Sequence, residues 1–179
     1  MIKQDFLLKE LDVLKELKGK ILNKIVYTDP IFANIVLEFE DYSIVINNNT
    51  HESNFADLEN ESISYFTVDK VSNTSNFNFL VDNNKVKEFS INERIESIEI
   101  INDTINDGTY EISFDEAIIL KTNQHDYTIS RDWFFMETMN INVDSDINDI
   151  LEIDKVIEDY KGDDNNLVVN VSRRVNKLF

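Results

Sequence analysis

The central part of this sequence, between residues 22 and 137, alternates between apolar and polar residues in short runs. The runs are rich in β-branched and aromatic residues and are separated by polar segments that contain turn-forming residues. A period of two residues is typical of β-strands, because successive side chains of a strand point to opposite faces of the sheet. The pattern therefore predicts a β-rich, antiparallel sheet that occupies most of the chain.

The strongest hairpin signal is Asp107-Gly108, since a tight hairpin turn needs residues that accept positive φ. After it, residues 110–114 alternate between apolar and polar side chains, which predicts a half-buried strand. We expect Asp115-Glu116 to form the next connection, because two acidic residues interrupt the apolar run there.

Other strands and turns follow from the same pattern. Turns are expected at Asp29-Pro30 and at residues 82–84, and residues 47–62 are expected to be a polar connection with a weak helical tendency near residues 55–58. The remaining strands are predicted at residues 22–28, 34–40, 43–46, 64–68, 76–81, 86–91, 95–102, 117–121, 126–130, 133–137 and 167–171.

An amphipathic helix is predicted before the strands, over residues 4–18. Its apolar residues recur at spacings of three and four and form an arc wide enough to pack on a sheet. Gly19 follows directly, where a helix end favours a residue that tolerates positive φ. The arc consists of Phe6, Leu7, Leu11, Val13, Leu14 and Leu17, with Glu10 in the same row.

A second helix is predicted after the strands, over residues 147–161. Asp146 is a suitable N-cap and Gly162 a suitable residue after the helix. The helix has one apolar and one polar stripe. The predicted buried stripe is Ile150, Ile153, Ile157 and Tyr160, and the predicted exposed stripe is Asn148, Glu152, Lys155 and Asp159.

These elements predict one α+β domain over residues 1–179, with both helices packed on an antiparallel sheet. An internal duplication is one possible origin of the sheet. Residues 21–46 and 95–120 share a strand, turn and strand order, with a short apolar stretch before an acidic pair. Two unrelated antiparallel meanders would share the same pattern, so both interpretations stay open.

Charge and cysteine content exclude several classes of function. The chain carries a formal net charge of −18 and has no cysteine. Disulfide frameworks, thiolate metal sites and cysteine nucleophiles are therefore excluded, and a surface that grips nucleic-acid phosphates is disfavoured. No apolar run is long enough to span a membrane, and residues 1–20 lack the apolar core of an export signal. The expected compartment is the cytoplasm.

Motifs that would indicate catalysis or a cofactor are not recognisable. Residues 144–149 begin like a calcium loop, but Asp149 stands where the loop needs glycine and Lys155 where it needs glutamate. Helix capping explains the same residues. His51 and His125 are expected to be solvated loop residues, so the sequence predicts no metal and no cofactor.

The acidic segment from Asp144 to Asp164 is the first candidate site. It contains nine acidic residues and two lysines. A strong negative field speeds the encounter with a basic partner, although such a segment also serves solubility alone. The candidate partner-binding residues are Asp144, Asp146, Asp149, Glu152, Asp159, Asp163 and Asp164.

Arg131 and Trp133 form a second candidate site. Arginine is rare in this chain, and Arg131 lies beside an aromatic run at residues 133–136. We expect Arg131 to pair with a carboxylate and to pack on an aromatic ring, and we expect the run to be core. Anion binding by Arg131 is the alternative.

The leading hypothesis is a non-catalytic protein that occludes a basic protein, such as a toxin or a nucleic-acid-binding enzyme, without binding nucleic acid or membrane itself. Small size, acidity and the absence of a catalytic motif resemble the profile of immunity proteins against nuclease toxins and of nucleic-acid mimics, as a similarity of class. One alternative is a divalent-metal-dependent enzyme that uses carboxylates and a histidine. Another is a structural subunit that assembles with copies of itself through apolar edge strands.

Overall fold

The computed structural model describes residues 2–55, 58–72, 86–133, 136–162 and 166–179. Within them the chain forms a β-rich α+β fold, which confirms the predicted class. The helices are α1 (Leu8–Lys15), α2 (Ile147–Ile150) and α3 (Ile153–Lys161). The strands are β1 (Ile2–Gln4), β2 (Ile21–Thr28), β3 (Asn34–Glu38), β4 (Tyr42–Phe55), β5 (Leu58–Ser72), β6 (Val86–Asn106), β7 (Glu111–Thr122), β8 (Asp126–Arg131), β9 (Met139–Val143) and β10 (Asn170–Lys177).

The sheet has two halves that share the long strand β6. In one half, β2 pairs with residues 86–94 of β6 and continues through β3 and β4 to β5. In the other half, β7 pairs with residues 95–106 of β6 and continues through β8 to β9, while β10 pairs with the other edge of β6. All these pairs are antiparallel, and only β1 runs parallel to its neighbour β7 among the described strands.

Apolar side chains from both halves of the sheet form one main core. Ile25, Ile44 and Phe66 come from one half, and Ile98 and Leu120 from the other. The burial of these side chains is the main stabilising contribution to the fold.

Leu14 of helix α1 and Leu17 in the turn after it cover this core, and both are fully buried. Helix α1 is shorter than the predicted helix 4–18, because residues 2–4 pair with β7 as a strand. The Phe6 N–H also donates to a carboxylate oxygen of Asp115 at 2.6 Å, which holds the entry to the helix away from helical geometry.

The hairpin at Asp107-Gly108 is confirmed, since β6 and β7 pair on either side of it. Its turn is wider than predicted, because residues 107–110 separate the two strands. Only Gly108 has a positive φ there, of 86°. The Asp107 carboxylate accepts hydrogen bonds from the N–H groups of Thr109 and Tyr110, so side-chain bonds stabilise the wider turn.

The acidic pair Asp115-Glu116 does not form a connection, and this prediction was wrong. Both residues are buried within β7, which is covered on both faces instead of being half-buried. Ile101 of β6 pairs with Ala117 while the next residue, Asn102, pairs with Asp115, so Glu116 is the extra residue of a β-bulge. The acidic pair compared with it in the proposed duplication, Glu40-Asp41, precedes β4 in a turn, so the two matched motifs have different local structures.

The polar stretch 47–62 is also corrected, because most of it belongs to the paired strands β4 and β5. Asparagine side chains support this long hairpin. The amide of Asn47 donates to Thr67 and Asp69, and that of Asn48 donates to the Met136 and Thr138 carbonyls. Side-chain hydrogen bonds thus replace the apolar alternation from which strands are predicted.

The predicted helix 147–161 is interrupted. Leu151 is buried against the sheet, and its carbonyl accepts a hydrogen bond of 2.6 Å from Arg173. This contact ends α2, and α3 begins after Glu152. Two strand predictions near the end are displaced, since β9 and β10 form at Met139–Val143 and Asn170–Lys177.

Some predictions lie outside the described residues. They are the strand 76–81, the turn 82–84, residues 56–57 of the weak helical tendency, Phe134 and Phe135 of the aromatic run, and the candidate residues Asp163 and Asp164. Within the described residues, no helix has the length and apolar character needed to cross a membrane.

Candidate functional site: the Trp133 pocket and the acidic face

The first two candidate acids have local structural roles. Asp144 ends β9 with a φ of 52°, and its carboxylate accepts the Asp126 N–H at 2.9 Å. Asp146 caps α2 by accepting the Asn148 N–H at 2.8 Å. This geometry agrees with helix capping. Among the described residues no cluster of three or more acidic or histidine side chains is arranged to hold a metal ion.

The other described candidates form what we call the acidic face, namely Asp149, Glu152 and Asp159. All three are exposed, with Asp149 on α2, Glu152 at the junction of the helices and Asp159 on α3, and none takes part in an ion pair within the described residues. Lys155 lies between Glu152 and Asp159 without pairing with either, although its spacing predicts such pairs. The three carboxylates of this face are therefore not held in ion pairs, and they outnumber the one lysine among them.

The opposite side of these helices packs on the sheet, as predicted. Ile150 contacts the cluster around Ile101 and Ile119, and Ile157 and Tyr160 contact the cluster around Phe114. The predicted buried stripe is only half-buried, because the helices lie at the edge of the structure. This packing fixes the direction in which the acidic face points.

A small pocket with about 40 Å³ of free space lies between these helices and the end of β8. Its size suits the tip of one side chain. Trp133 is 36% exposed at its rim, and Met136 nearby in sequence is 45% exposed, so the described part of the aromatic run is not core. Trp133, Glu152 and Asp159 line this pocket together with Asp132, Ile150, Leu151, Lys155, Val156, Phe114 and Glu116.

The structure thus brings the two candidate sites of the sequence together. Glu152 and Asp159 belong to the first site and Trp133 to the second, and they share the Trp133 pocket. Asp132 is a further acid at the pocket that was not among the candidate residues predicted from the sequence. Its position beside Trp133 in the chain was the only signal that could have indicated it.

Arg131, the other residue of the second candidate site, lies in the protein interior and not at the surface. Its side chain is buried, with only 1% of the residue exposed, and its guanidinium donates to Glu116 at 2.8 Å and to the Ser64 carbonyl at 2.7 Å. It also lies over the Phe114 ring, 4.6 Å from the centroid. The expected carboxylate partner and aromatic contact are confirmed, and burial leaves Arg131 without a surface for a protein partner.

The Glu116 carboxylate forms the floor of the pocket. Burial raises its pKa, and the positive charge of Arg131 acts in the opposite direction. The β-bulge places Glu116 on this side of the sheet. A buried charge needs a paired partner, and the bulge supplies the geometry for that pairing.

A second buried ion pair lies nearby on the same side. Arg173 donates to both carboxylate oxygens of Asp103, at 2.8 and 2.6 Å. The hydrogen bond to Asp103 raises the pKa of Arg173. Because Arg173 also donates to the Leu151 carbonyl, this pair fixes the junction of α2 and α3.

The histidines were expected to be solvated, and His51 is exposed whereas His125 is partly exposed. His51 lies on β4 rather than in a loop, and its ring contacts Gln4 and Tyr65. His125 lies 2.9 Å from the buried carboxylate of Glu93 and 3.9 Å from Asp144. The hydrogen bond that the Glu93 carboxylate accepts from the ring raises the pKa of His125, so His125 is a structural ion-pair partner.

The site offers an aromatic ring, apolar side chains and exposed carboxylates around a shallow depression. Such a surface can hold a basic side chain, with its aliphatic stem on Trp133 and its charge at the carboxylates. Comparison with models of known protein families, with curated protein sequences and with solved structures found no match to this chain.

Proposed function

We propose that this chain is a small acidic cytoplasmic protein that binds and occludes a basic protein partner, in the manner of an immunity protein or a nucleic-acid mimic. The observation that carries the proposal is the shared lining of the Trp133 pocket, where an exposed tryptophan lies beside the unpaired carboxylates Glu152 and Asp159. Aromatic anchors surrounded by polar residues dominate the energetics of many protein interfaces.

The charge of the chain supports the same proposal. At a net charge of −18, the protein attracts basic partners over distances beyond direct contact, and this attraction weakens with salt. The carboxylates of the acidic face form no ion pair within the described residues, and Lys155 is the single cation that lines the pocket with them. Maintaining it is a cost to stability, which favours a use in association.

Trp133 provides a direct test, since it is the only tryptophan in the chain. Its fluorescence is titrated with a peptide of alternating arginine and leucine, and with the same peptide in which citrulline replaces arginine. We expect a saturable change for the arginine peptide that weakens steeply with salt, and little change for the citrulline peptide.

The double variant Glu152→Lys with Asp159→Lys identifies the surface. We expect it to weaken binding of the arginine peptide by about tenfold or more and to slow association. The matched control is Asp41→Lys with Glu52→Lys, which changes the net charge equally at exposed positions that do not line the pocket. Equal losses in the two variants would contradict the proposed site and leave only a general charge effect.

A further inference from the structure

A second, larger cavity lies on the other face of the same half of the sheet. It has about 520 Å³ of free space and opens between the segment around α1 and the strands β6, β7 and β10. Pockets that hold small molecules usually have about 300–1,000 Å³, so this cavity is of ligand size whereas the Trp133 pocket is not.

The floor of this cavity is polar, although the residues that precede it on the same face of β6 are apolar. Ile98 and Ile100 point into the main core, and the next residues on that face are Asn102 and Thr104. The cross-strand neighbours of these two residues are also polar, so the polar floor extends across β10, β6, β7 and β1 in two rows. One row is Arg174, Asn102 and Asp115, and the other is Ser172, Thr104, Ser113 and Lys3.

Two carboxylates meet in the middle of the floor. The Asn102 side-chain amide donates to Asp5 and to Asp115, at 3.0 Å each. The Ser113 hydroxyl donates to Asp5 at 2.8 Å. Asp115 is only 4% exposed, and burial raises its pKa, whereas Asp5 is exposed to the cavity. The shared Asn102 amide thus holds the two acids close together.

Two cations flank these acids. Of the four arginines, three pair with carboxylates, and Arg174 makes no ion pair or hydrogen bond within the described residues. Lys3 on the opposite flank is likewise unpaired there. In a chain of net charge −18, most cations have acids available to pair with, so two unpaired cations at one cavity indicate a binding site for a negatively charged group.

The positions of these charges set the size of a ligand. Arg174 and Asp115 lie two strands apart, which separates their backbones by about 10 Å. The Arg174 side chain is long enough to shorten the distance between the two charged groups to the length of a small molecule. The cavity wall also has apolar side chains, namely Phe6, Leu11, Ile100 and Leu178.

We propose that this cavity binds a free α-amino acid with an apolar side chain. The ammonium group lies at Asp5 and Asp115, the carboxylate at Arg174, and the side chain against Phe6 and Leu11. The lining carries two cations, Lys3 and Arg174, and three acids, Asp5, Glu111 and Asp115. A purely cationic ligand is disfavoured by the cations and a purely anionic one by the acids, so the mixed charge favours a zwitterion. This inference does not rest on the proposed function.

The test is calorimetric titration of the full chain with L-leucine and L-phenylalanine as probes. Two fragments of leucine serve as controls, 4-methylpentanoate without the amine and 3-methylbutylamine without the carboxylate. We expect saturable binding of the amino acids, with each fragment at least about tenfold weaker because it leaves one charged group of the site unpaired. Equal binding of a fragment, or binding of neither amino acid at millimolar concentration, overturns the proposal.

Variants locate the binding at the cavity. Arg174→Gln and Asp5→Asn change exposed side chains, so the fold is retained, and circular dichroism verifies this. We expect each to weaken L-leucine binding by about tenfold or more. Arg94→Gln is the matched control, since Arg94 is exposed and does not line the cavity. Unchanged affinity in Arg174→Gln and Asp5→Asn contradicts the assignment.

Discussion

The two sides of helices α2 and α3 carry charge in opposite ways. Beneath the helices, Arg131 is buried with Glu116, and Arg173 with Asp103, in hydrogen-bonded pairs. On the solvent side, the carboxylates of the acidic face are exposed and have no ion-pair partner within the described residues. Charges that the fold needs are paired, whereas the charges we propose for binding are left for another molecule.

Solvent exposure explains this difference. A buried charge without a partner loses its hydration, and the loss costs several kcal/mol, so pairing is required beneath the helices. An exposed carboxylate keeps its hydration and is screened by salt, so it tolerates the absence of a partner. Breaking a pair and reversing a free charge should therefore have very different effects on stability.

The largest effect is expected for Arg131→Met, which leaves the Glu116 carboxylate buried without its cation. We expect the free energy of unfolding to fall by about 3–5 kcal/mol, measured by urea denaturation. The control Lys70→Met breaks the exposed pair with Glu16 and should cost at most about 1 kcal/mol. A loss below about 1 kcal/mol in Arg131→Met would show that Glu116 is not held as a buried charge.

An intermediate effect is expected for Arg173→Lys, which keeps the charge but loses the two-pronged contact with Asp103 and the bond to Leu151. We expect a loss of about 1.5–3 kcal/mol in the free energy of unfolding. Because the bond to Leu151 fixes the end of α2, the Trp133 emission should also change. Unchanged emission and stability would separate Arg173 from the pocket.

The pair of His125 with Glu93 lies between the two extremes, since Glu93 is buried and His125 is partly exposed. The folded state raises the pKa of His125 above its ordinary 6.5 and lowers that of Glu93 below 4.5. The histidine contribution to stability is complete below pH 6.5 and is lost as pH rises through the folded pKa. The glutamate contribution is complete above pH 4.5 and is lost as pH falls through its folded pKa.

We therefore expect the unfolding midpoint of the protein to decrease between pH 6 and pH 8 by more than that of His125→Gln. The matched control is His51→Gln, at the other histidine, which should retain the decrease of the parent protein. Parallel midpoint curves for the parent and His125→Gln would show that this pair does not couple folding to pH.

The smallest effect on stability is expected for the double variant Glu152→Lys with Asp159→Lys. Both side chains are exposed and unpaired, so the free energy of unfolding should change by at most about 0.5 kcal/mol per site. Urea denaturation at low and high salt measures it. A loss of several kcal/mol would mean that the acidic face serves the fold, and the contrast with the buried pairs would disappear.

Local patterns predicted much of the fold, because most strands bury one face in an apolar core. The hairpin at Asp107-Gly108 and the two ends of the C-terminal helical region, at Asp146 and Gly162, followed from single residues with clear backbone preferences. The ends of α1 did not, since that helix spans only Leu8–Lys15. The strands of the polar hairpin around Asn47 were missed, because side-chain hydrogen bonds stabilise them and leave no apolar period. The position of Glu116 was missed because a bulge depends on the partner strand.

The candidate sites were predicted in part. Exposure of Glu152 and Asp159 followed from helical spacing, and the pairing of Arg131 followed from its rarity in an acidic chain. The sequence could not show that Trp133 lies beside those acids, because that contact depends on how α2 and α3 dock on the sheet. The polar cavity was missed for the same reason, since its lining comes from separate strands and the segment before α1.

Strand β6 has a consequence for how the protein unfolds. Its 21 residues hydrogen-bond to β2 in one half of the sheet and to β7 and β10 in the other. Releasing either half would leave a long unpaired edge on a strand that the other half still holds, and such edges promote aggregation. Because the main core also takes side chains from both halves, we expect them to unfold together, with amide protons along the whole of β6 exchanging through the same global opening.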